Sequence, residues 1–472
     1  MKNKIGFLFI LITLSLLPLN AQNKFEGHWS GKLNFGSVAL TIILNITADE
    51  DTLTATIDSP DQGAMGIPVS SVRVNGDSLF IGIKSIGGSY TARYIGAGDS
   101  VYLKGKFSQS GASLDLTLLK SDKQTVLNRP QEPRPPFPYY SEEIEFENKE
   151  AGVKFSGTFT RPDKVGRYAA VVLVTGSGPQ DRDEALFGHK PFAVIADYLT
   201  RNGFAVLRYD ERGVGKSTGK FAGSTTLDFT HDALAAIGYL KSRKDVNPAK
   251  TGIIGHSEGG VVAPMAAAMS EDVKFIIMLA GLGVPGDELL HRQYRDLMKA
   301  GGAGEEKIEK MLLFNRELYS LMNNYPDSSR FFEEANSLIE EFYKVLTDVE
   351  KENPEFSHES LESLVKTANG EWFRFFVKTN PAQYLSKVNV PVLALNGTKD
   401  LQVSYKENLD GIGKALTTAG NKNFTILPLE GLNHLFQKAD KGTIDEYGKI
   451  EETINPEALE VMRKWLAELV KS

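Results

Sequence analysis

Residues 252 to 260 read "GIIGHSEGG". An apolar run ends on a serine framed by glycines, Gly255-His256-Ser257-Glu258-Gly259, and "GVVAPMAAAMS" then opens as a helix of small residues. A strand that turns this sharply into a helix needs glycine, because a residue without Cβ lets the backbone fold back on itself. Such an elbow lifts the serine hydroxyl clear of a sheet. It also points a helix N-terminus, with its partial positive charge, at any oxyanion formed there. Ser257 is the candidate nucleophile.

The surrounding chain has the rhythm that this elbow requires. "AAVVLVTGSG" (169–178), "FAVLRYDERG" (204–213), "KFIIMLAGLG" (274–283), "VPVLALNG" (390–397) and "FTILPLEG" (424–431) are apolar strands running into polar or glycine-rich ends. Helical stretches such as "PFAVIADYLTRNG" (191–203) and residues 225–243 lie between them. Continuous apolar strands alternating with helices predict a mostly parallel sheet covered on both faces, an α/β fold. The alternation breaks once. Residues 284–379 show helical spacing and no strand pattern, with Ile308, Met311, Leu312, Leu318 and Met322 on one stripe. An insertion of this kind reads as a helical cap over residues 141–283 and 380–472, or else as a helical domain away from the site.

A serine hydroxyl needs a base. Of the seven histidines, His434 in "LEGLNHLF" follows the last strand and can be carried to Ser257 by its loop. His28, His189, His231, His256, His291 and His358 read as packing or surface residues. Asp400, at the end of "VPVLALNGTKD", supplies the carboxylate that orients the imidazole. The order Ser257, Asp400, His434 is the one expected of a nucleophile elbow on such a sheet. The oxyanion hole needs two N–H groups. The Glu258 backbone provides one, and Ser177 or its neighbour Gly178 the other. The Glu258 carboxylate reads as an anchor for the elbow, for instance to Arg212. In "WFRFF" (372–376), Trp372 and Phe376 either line an acyl pocket or bury the cap against the core. The charges of "GPQDRDE" and "DERGVGKS" read as a network bracing two loops, with substrate binding as the other use. "GVGKST" is not a phosphate loop, since Glu211 stands where its first glycine belongs. No metal-ligand spacing such as H-E-x-x-H occurs, and no metal or cofactor is expected.

These motifs carry a resemblance. "TGSGPQDRDE", "LRYDERGVGKSTG", "GHSEGG", "NGTKD" and "LNH" resemble the landmarks of exported bacterial serine esterases in the α/β-hydrolase superfamily, whose relatives include the serine aminopeptidase-like branch. The resemblance implies an α/β-hydrolase core and hydrolysis of a small carboxylic ester through an acyl-enzyme, with aminopeptidase or amidase activity on the same triad as the alternative. One departure stands out: Thr175-Gly176-Ser177-Gly178 occupies the loop where many lipases and esterases carry His-Gly-Gly.

The N-terminal part differs in kind. Lys2 and Lys4 precede an apolar stretch (5–19) and the small residue Ala21, so residues 1–21 read as a signal peptide and the protein as periplasmic or secreted. The alternative is a retained membrane anchor; otherwise no membrane span is expected. Removing the two lysines takes the formal net charge from −7 to −9, which argues against nucleic acid as a partner. With no cysteine, thiol nucleophiles, thiolate metal sites and disulfides are excluded. Residues 22–127 alternate as about eight short strands, predicting a small all-β barrel or sandwich. This accessory domain also admits a different reading, a ligand- or glycan-binding protein with an inert hydrolase part. "NRPQEPRPPFPYY" (128–140), with five prolines in thirteen residues, reads as a stiff extended linker.

Overall fold

Period-two alternation in the N-terminal part becomes nine antiparallel strands in a computed structural model. It describes residues 23–471 except 36–37, 50–51, 60–63, 98–99, 110–111 and 122–127, so the expected signal peptide lies outside the described residues. The chain divides into two compact units, Met1–Leu127 and Asn128–Ser472.

In the first unit the strand order is Ala64–Pro68, Thr52–Ser59, Val38–Asp49, Gly27–Phe35, Ala112–Ser121, Ser100–Gln109, Gly88–Ala97, Ser78–Ile83, Ser71–Asn75. It is one continuous curled sheet, with nine strands among the described residues where about eight were expected. Its inward positions, among them Leu44, Leu79, Ile81, Leu103, Leu116 and Leu118, form a single apolar core. Trp29 is fully buried in it, and its indole N–H donates to the Phe25 carbonyl at 2.7 Å. The Asn75–Ser78 hairpin turns through Gly76 in the left-handed region, φ 57°.

The second unit is built on an eight-stranded sheet. Its order is Tyr140–Asn148, Val153–Arg161, Ala205–Tyr209, Tyr168–Val174, Val246–His256, Phe275–Leu279, Val392–Gly397, Phe424–Leu429. The first two strands are antiparallel additions and the other six run parallel. Along Tyr168–Val174, Val172 and Val174 enter one core cluster while Val171 and Leu173 enter the other. A strand buried on both faces has no polar face to show, which is why its sequence reads as an unbroken apolar run. Helices Thr226–Ser242 and Tyr405–Thr418 cover one face, and Pro191–Arg201 and Pro456–Lys471 the other. This is the α/β-hydrolase fold.

Between Phe275–Leu279 and Val392–Gly397 the described chain is helical. Gly286–Ala300, Glu305–Asn324, Ser328–Val345, His358–Ala368 and Glu371–Lys378 are its main helices. They share a core of their own around Phe314, Leu318, Phe331, Phe342 and Leu361. Residues 128–140, expected as a stiff extended linker, are held by side-chain hydrogen bonds within the second unit. The Arg129 guanidinium donates to the carbonyls of Gly188 (2.9 Å), Gly448 (2.8 Å) and Ile450 (2.8 Å). Gln131 bonds Thr453 and Ile454, and the Tyr139 hydroxyl donates to Asp197 at 2.9 Å. Proline removes backbone donors, and side chains beside the prolines tie this segment to the rest of the second unit.

Candidate active site

Strand Val246–His256 lies inside the sheet, and its C-terminal end delivers Ser257 into a left-handed conformation, φ 53°. A non-glycine residue there is strained and persists when its surroundings hold it. The surroundings are backbone: the Ser257 N–H donates to Leu279 O at 2.8 Å, and the Gly260 N–H to Ser257 O at 2.9 Å. A Cβ on Gly255 would stand 1.9 Å from Gly259 O, and one on Gly259 would stand 2.2 Å from Val174 O. No larger residue fits either position without moving the elbow.

Asp400 is buried at the end of strand Val392–Gly397. One carboxylate oxygen accepts the N–H groups of Gln402 and Val403, each at 2.8 Å, and the other accepts His434 Nδ1–H at 2.8 Å. That bond leaves His434 Nε2 as the free, basic nitrogen. The loop that carries His434 is stiffened from within by Asn433. Its Oδ1 accepts from the Leu435 and Gln437 amides, and its Nδ2 donates to Gln437 Oε1. Ser257 and His434 line one cavity of about 270 Å³, with Gly176 and Ser177 beside them. Among the described residues no hydrogen bond joins the Ser257 hydroxyl to His434, and none occupies the amide N–H of Ser177 or Glu258. Candidate catalytic hydrogen bonds are often loose without substrate.

Glu258 anchors the elbow, but not to Arg212. Arg212 is taken by Asp232, at 2.7 and 2.8 Å. Glu258 Oε1 instead accepts from the Thr226 hydroxyl (2.6 Å) and from Trp372 Nε1–H (2.8 Å). Burial pushes the Glu258 carboxyl above the usual range, against the pull of those bonds. The residue after the candidate nucleophile is thus tied to helix Glu371–Lys378. Trp372 stacks on Phe376 with centroids 5.0 Å apart, and both line the cavity. Phe373 packs into the core of the inserted helices and Phe375 against the sheet core. The "WFRFF" aromatics therefore divide between pocket and packing.

Three neighbours of the site, His256, Glu184 and Glu211, were not singled out as site residues in the sequence. His256 is buried, with Nδ1 2.9 Å from Glu184 Oε1 and Nε2 3.0 Å from the His434 carbonyl oxygen. Glu184 Oε1 also accepts the Gly176 N–H at 2.8 Å. Glu211 accepts the Thr175 hydroxyl (2.6 Å) and the Gln180 N–H (2.9 Å), and burial pushes its pKa up to about 8. Both ends of the loop after Val174 therefore hang on buried carboxyl groups. The signal for them was the acidic density of "GPQDRDE" and "DERG", which does not say which charge meets which partner. The remaining charges brace the loops: Arg182 forks onto Asp210 at 2.9 and 2.8 Å, and Arg208 pairs with Asp183. Among the described residues, His256 and His434 are the histidines that line the cavity. No group of three or more candidate metal-binding side chains (His, Cys, Asp or Glu) occurs among them.

A family model described as X-Pro dipeptidyl-peptidase (S15 family) matches residues 127–416. The chain belongs to this S15 family. As an S15 member on an α/β-hydrolase core, it is a hydrolase of the esterase and S15 peptidase type. The S15 match takes in Ser257 and Asp400, while His434 lies beyond it. "Esterase EstD" of Thermotoga maritima is 27% identical over 331 residues, which covers 70% of this chain and 69% of that protein. "Putative hydrolase YtaP" of Bacillus subtilis is 33% identical over 96 residues, 18% of this chain and 32% of that one. Among solved structures, the Pyrococcus furiosus esterase Pf2001 aligns at 15% identity and a TM-score of 0.43, over 73% of this chain and 98% of that one.

Proposed function

We propose that this S15 family member is an exported serine hydrolase that cleaves carboxylic esters through an acyl-enzyme on Ser257. The carrying observation is the elbow serine and the Asp400-bound His434 facing one cavity. Ser257 Oγ attacks the ester carbonyl as His434 Nε2 takes its proton, and Asp400 stabilises the imidazolium. The tetrahedral oxyanion is met by the Ser177 and Glu258 N–H groups. Collapse expels the alcohol, which receives its proton from His434. Water then attacks the acyl carbonyl by the same route and regenerates Ser257. The basic start and apolar run of residues 1–21 support export.

The S15 match also favours a peptidase reading with the same triad. The cavity lining weighs against it. Its polar side chains include Gln180, Gln293 and Gln402, and its one carboxylate among the described residues, Glu184, already serves Gly176 and His256. A peptide's α-ammonium would be desolvated there without a counter-charge, which is costly. A neutral acyl ester needs none. The cavity lies at the small end of ligand pockets, which suits short acyl groups. Residues 22–472 are expected to hydrolyse p-nitrophenyl acetate and butyrate with kcat/KM at least about a hundredfold above matched aminoacyl and X-Pro p-nitroanilides, a gap of about 2.7 kcal/mol in transition-state binding. Preference for the anilides would replace the esterase reading with the peptidase one.

A further inference from the structure

His256 and Glu184 line the cavity with Ser257 and His434 and touch both halves of the site. A carbonyl oxygen can only accept, so the 3.0 Å contact with His434 O puts a proton on His256 Nε2. His256 Nδ1 faces Glu184 Oε1 at 2.9 Å. That oxygen also accepts the Gly176 N–H, one residue before the proposed oxyanion donor Ser177. Burial works against charge on His256, yet the facing Glu184 carboxylate, the His434 carbonyl and the more distant Asp400 hold it above the ordinary histidine range. Each ring nitrogen thus faces an acceptor oxygen, Glu184 Oε1 at Nδ1 and His434 O at Nε2. Glu184 is itself buried and held at φ 51°, with its N–H on Asp181 O at 2.9 Å. Gly176 runs close beside the candidate nucleophile, since a Cβ there would lie 3.1 Å from Ser257 Cβ.

We propose that Glu184 and His256 form a positioning pair that sets the oxyanion loop and the His434 loop in register with Ser257, through the Gly176 N–H and the His434 carbonyl. This rests on the reading of Ser257 and His434 as nucleophile and base. Both residues of the pair line the cavity, and the His256 ring lies 4.9 Å from the His434 ring, but among the described residues neither hydrogen-bonds the Ser257 hydroxyl or the His434 imidazole. Its action is to fix the distance between the Ser177 N–H and the His434 imidazole across the cavity. A misplacement of about 1 Å is enough to cost about a hundredfold in rate.

The test is steady-state kinetics on p-nitrophenyl butyrate for Glu184→Gln, His256→Gln and the double variant, with thermal melts on each. Glu184→Gln is nearly isosteric, but a neutral His256 can donate to only one of its two acceptors. Each single variant is expected to lose about 10- to 100-fold in kcat with KM changed less than about threefold. The double variant is expected to lose no more than the worse single one, because the pair acts as a unit. Folded single variants with kcat within about twofold of the parent, losses confined to KM, or losses that multiply in the double variant would overturn the proposal. If His256→Gln does not fold, the kcat and KM split of Glu184→Gln decides by the same criteria. Ser257→Ala is assayed alongside. Retained activity there rejects the nucleophile reading itself, whereas a dead Ser257→Ala with unaffected Glu184→Gln rejects the pair alone.

Discussion

Ser257→Ala is expected to reduce kcat on p-nitrophenyl butyrate by about a million-fold, with KM nearly unchanged. The hydroxyl makes no hydrogen bond among the described residues, so its removal leaves no partner unsatisfied and the melting temperature should hold. The elbow is kept by backbone bonds to Leu279 and Gly260, which alanine preserves. Residual turnover of about a thousandfold over water would come from the oxyanion donors and binding alone. Loss below about tenfold would mean that another group carries the reaction.

Asp400→Asn is expected to lower kcat by about ten-thousandfold while leaving the fold intact. The reason lies in the donor count. Asp400 Oδ1 accepts two backbone N–H groups, from Gln402 and Val403, and Oδ2 accepts from His434 Nδ1. In asparagine the amide oxygen must stay with the two backbone donors, so the NH2 group turns to His434. Nδ1 then becomes an acceptor, the proton moves to Nε2, and the imidazole can no longer take a proton from Ser257. A pH-rate profile and a melt on the same sample check this. Activity near the parent's would show that Asp400 only packs the His434 loop.

The strands and the elbow were legible because their signals are local. Apolar runs mark strands buried on both faces, and glycines at 255 and 259 mark backbone contacts that no side chain permits. Asp400 and His434 were legible from their places at the ends of sheet strands. What escaped depends on which of several equivalent charges meet. Glu184 and His256 are 72 positions apart, and nothing near either names the other. The pairing of Glu258 with Arg212 failed for the same reason: Asp232, in helix Thr226–Ser242, holds the guanidinium, and Thr226 and Trp372 take the carboxylate. Proline content in residues 128–140 reports stiffness but not attachment, so the Arg129 strap was invisible.

The central claim is that Ser257 becomes covalently acylated. Labelling residues 22–472 with a fluorophosphonate, followed by peptide mapping by mass spectrometry, tests it most directly. The expected result is one adduct per chain, on the peptide carrying Ser257, with hydrolysis lost in proportion to labelling. An adduct on a different serine, or ester hydrolysis that continues when Ser257 is fully labelled, would contradict the account.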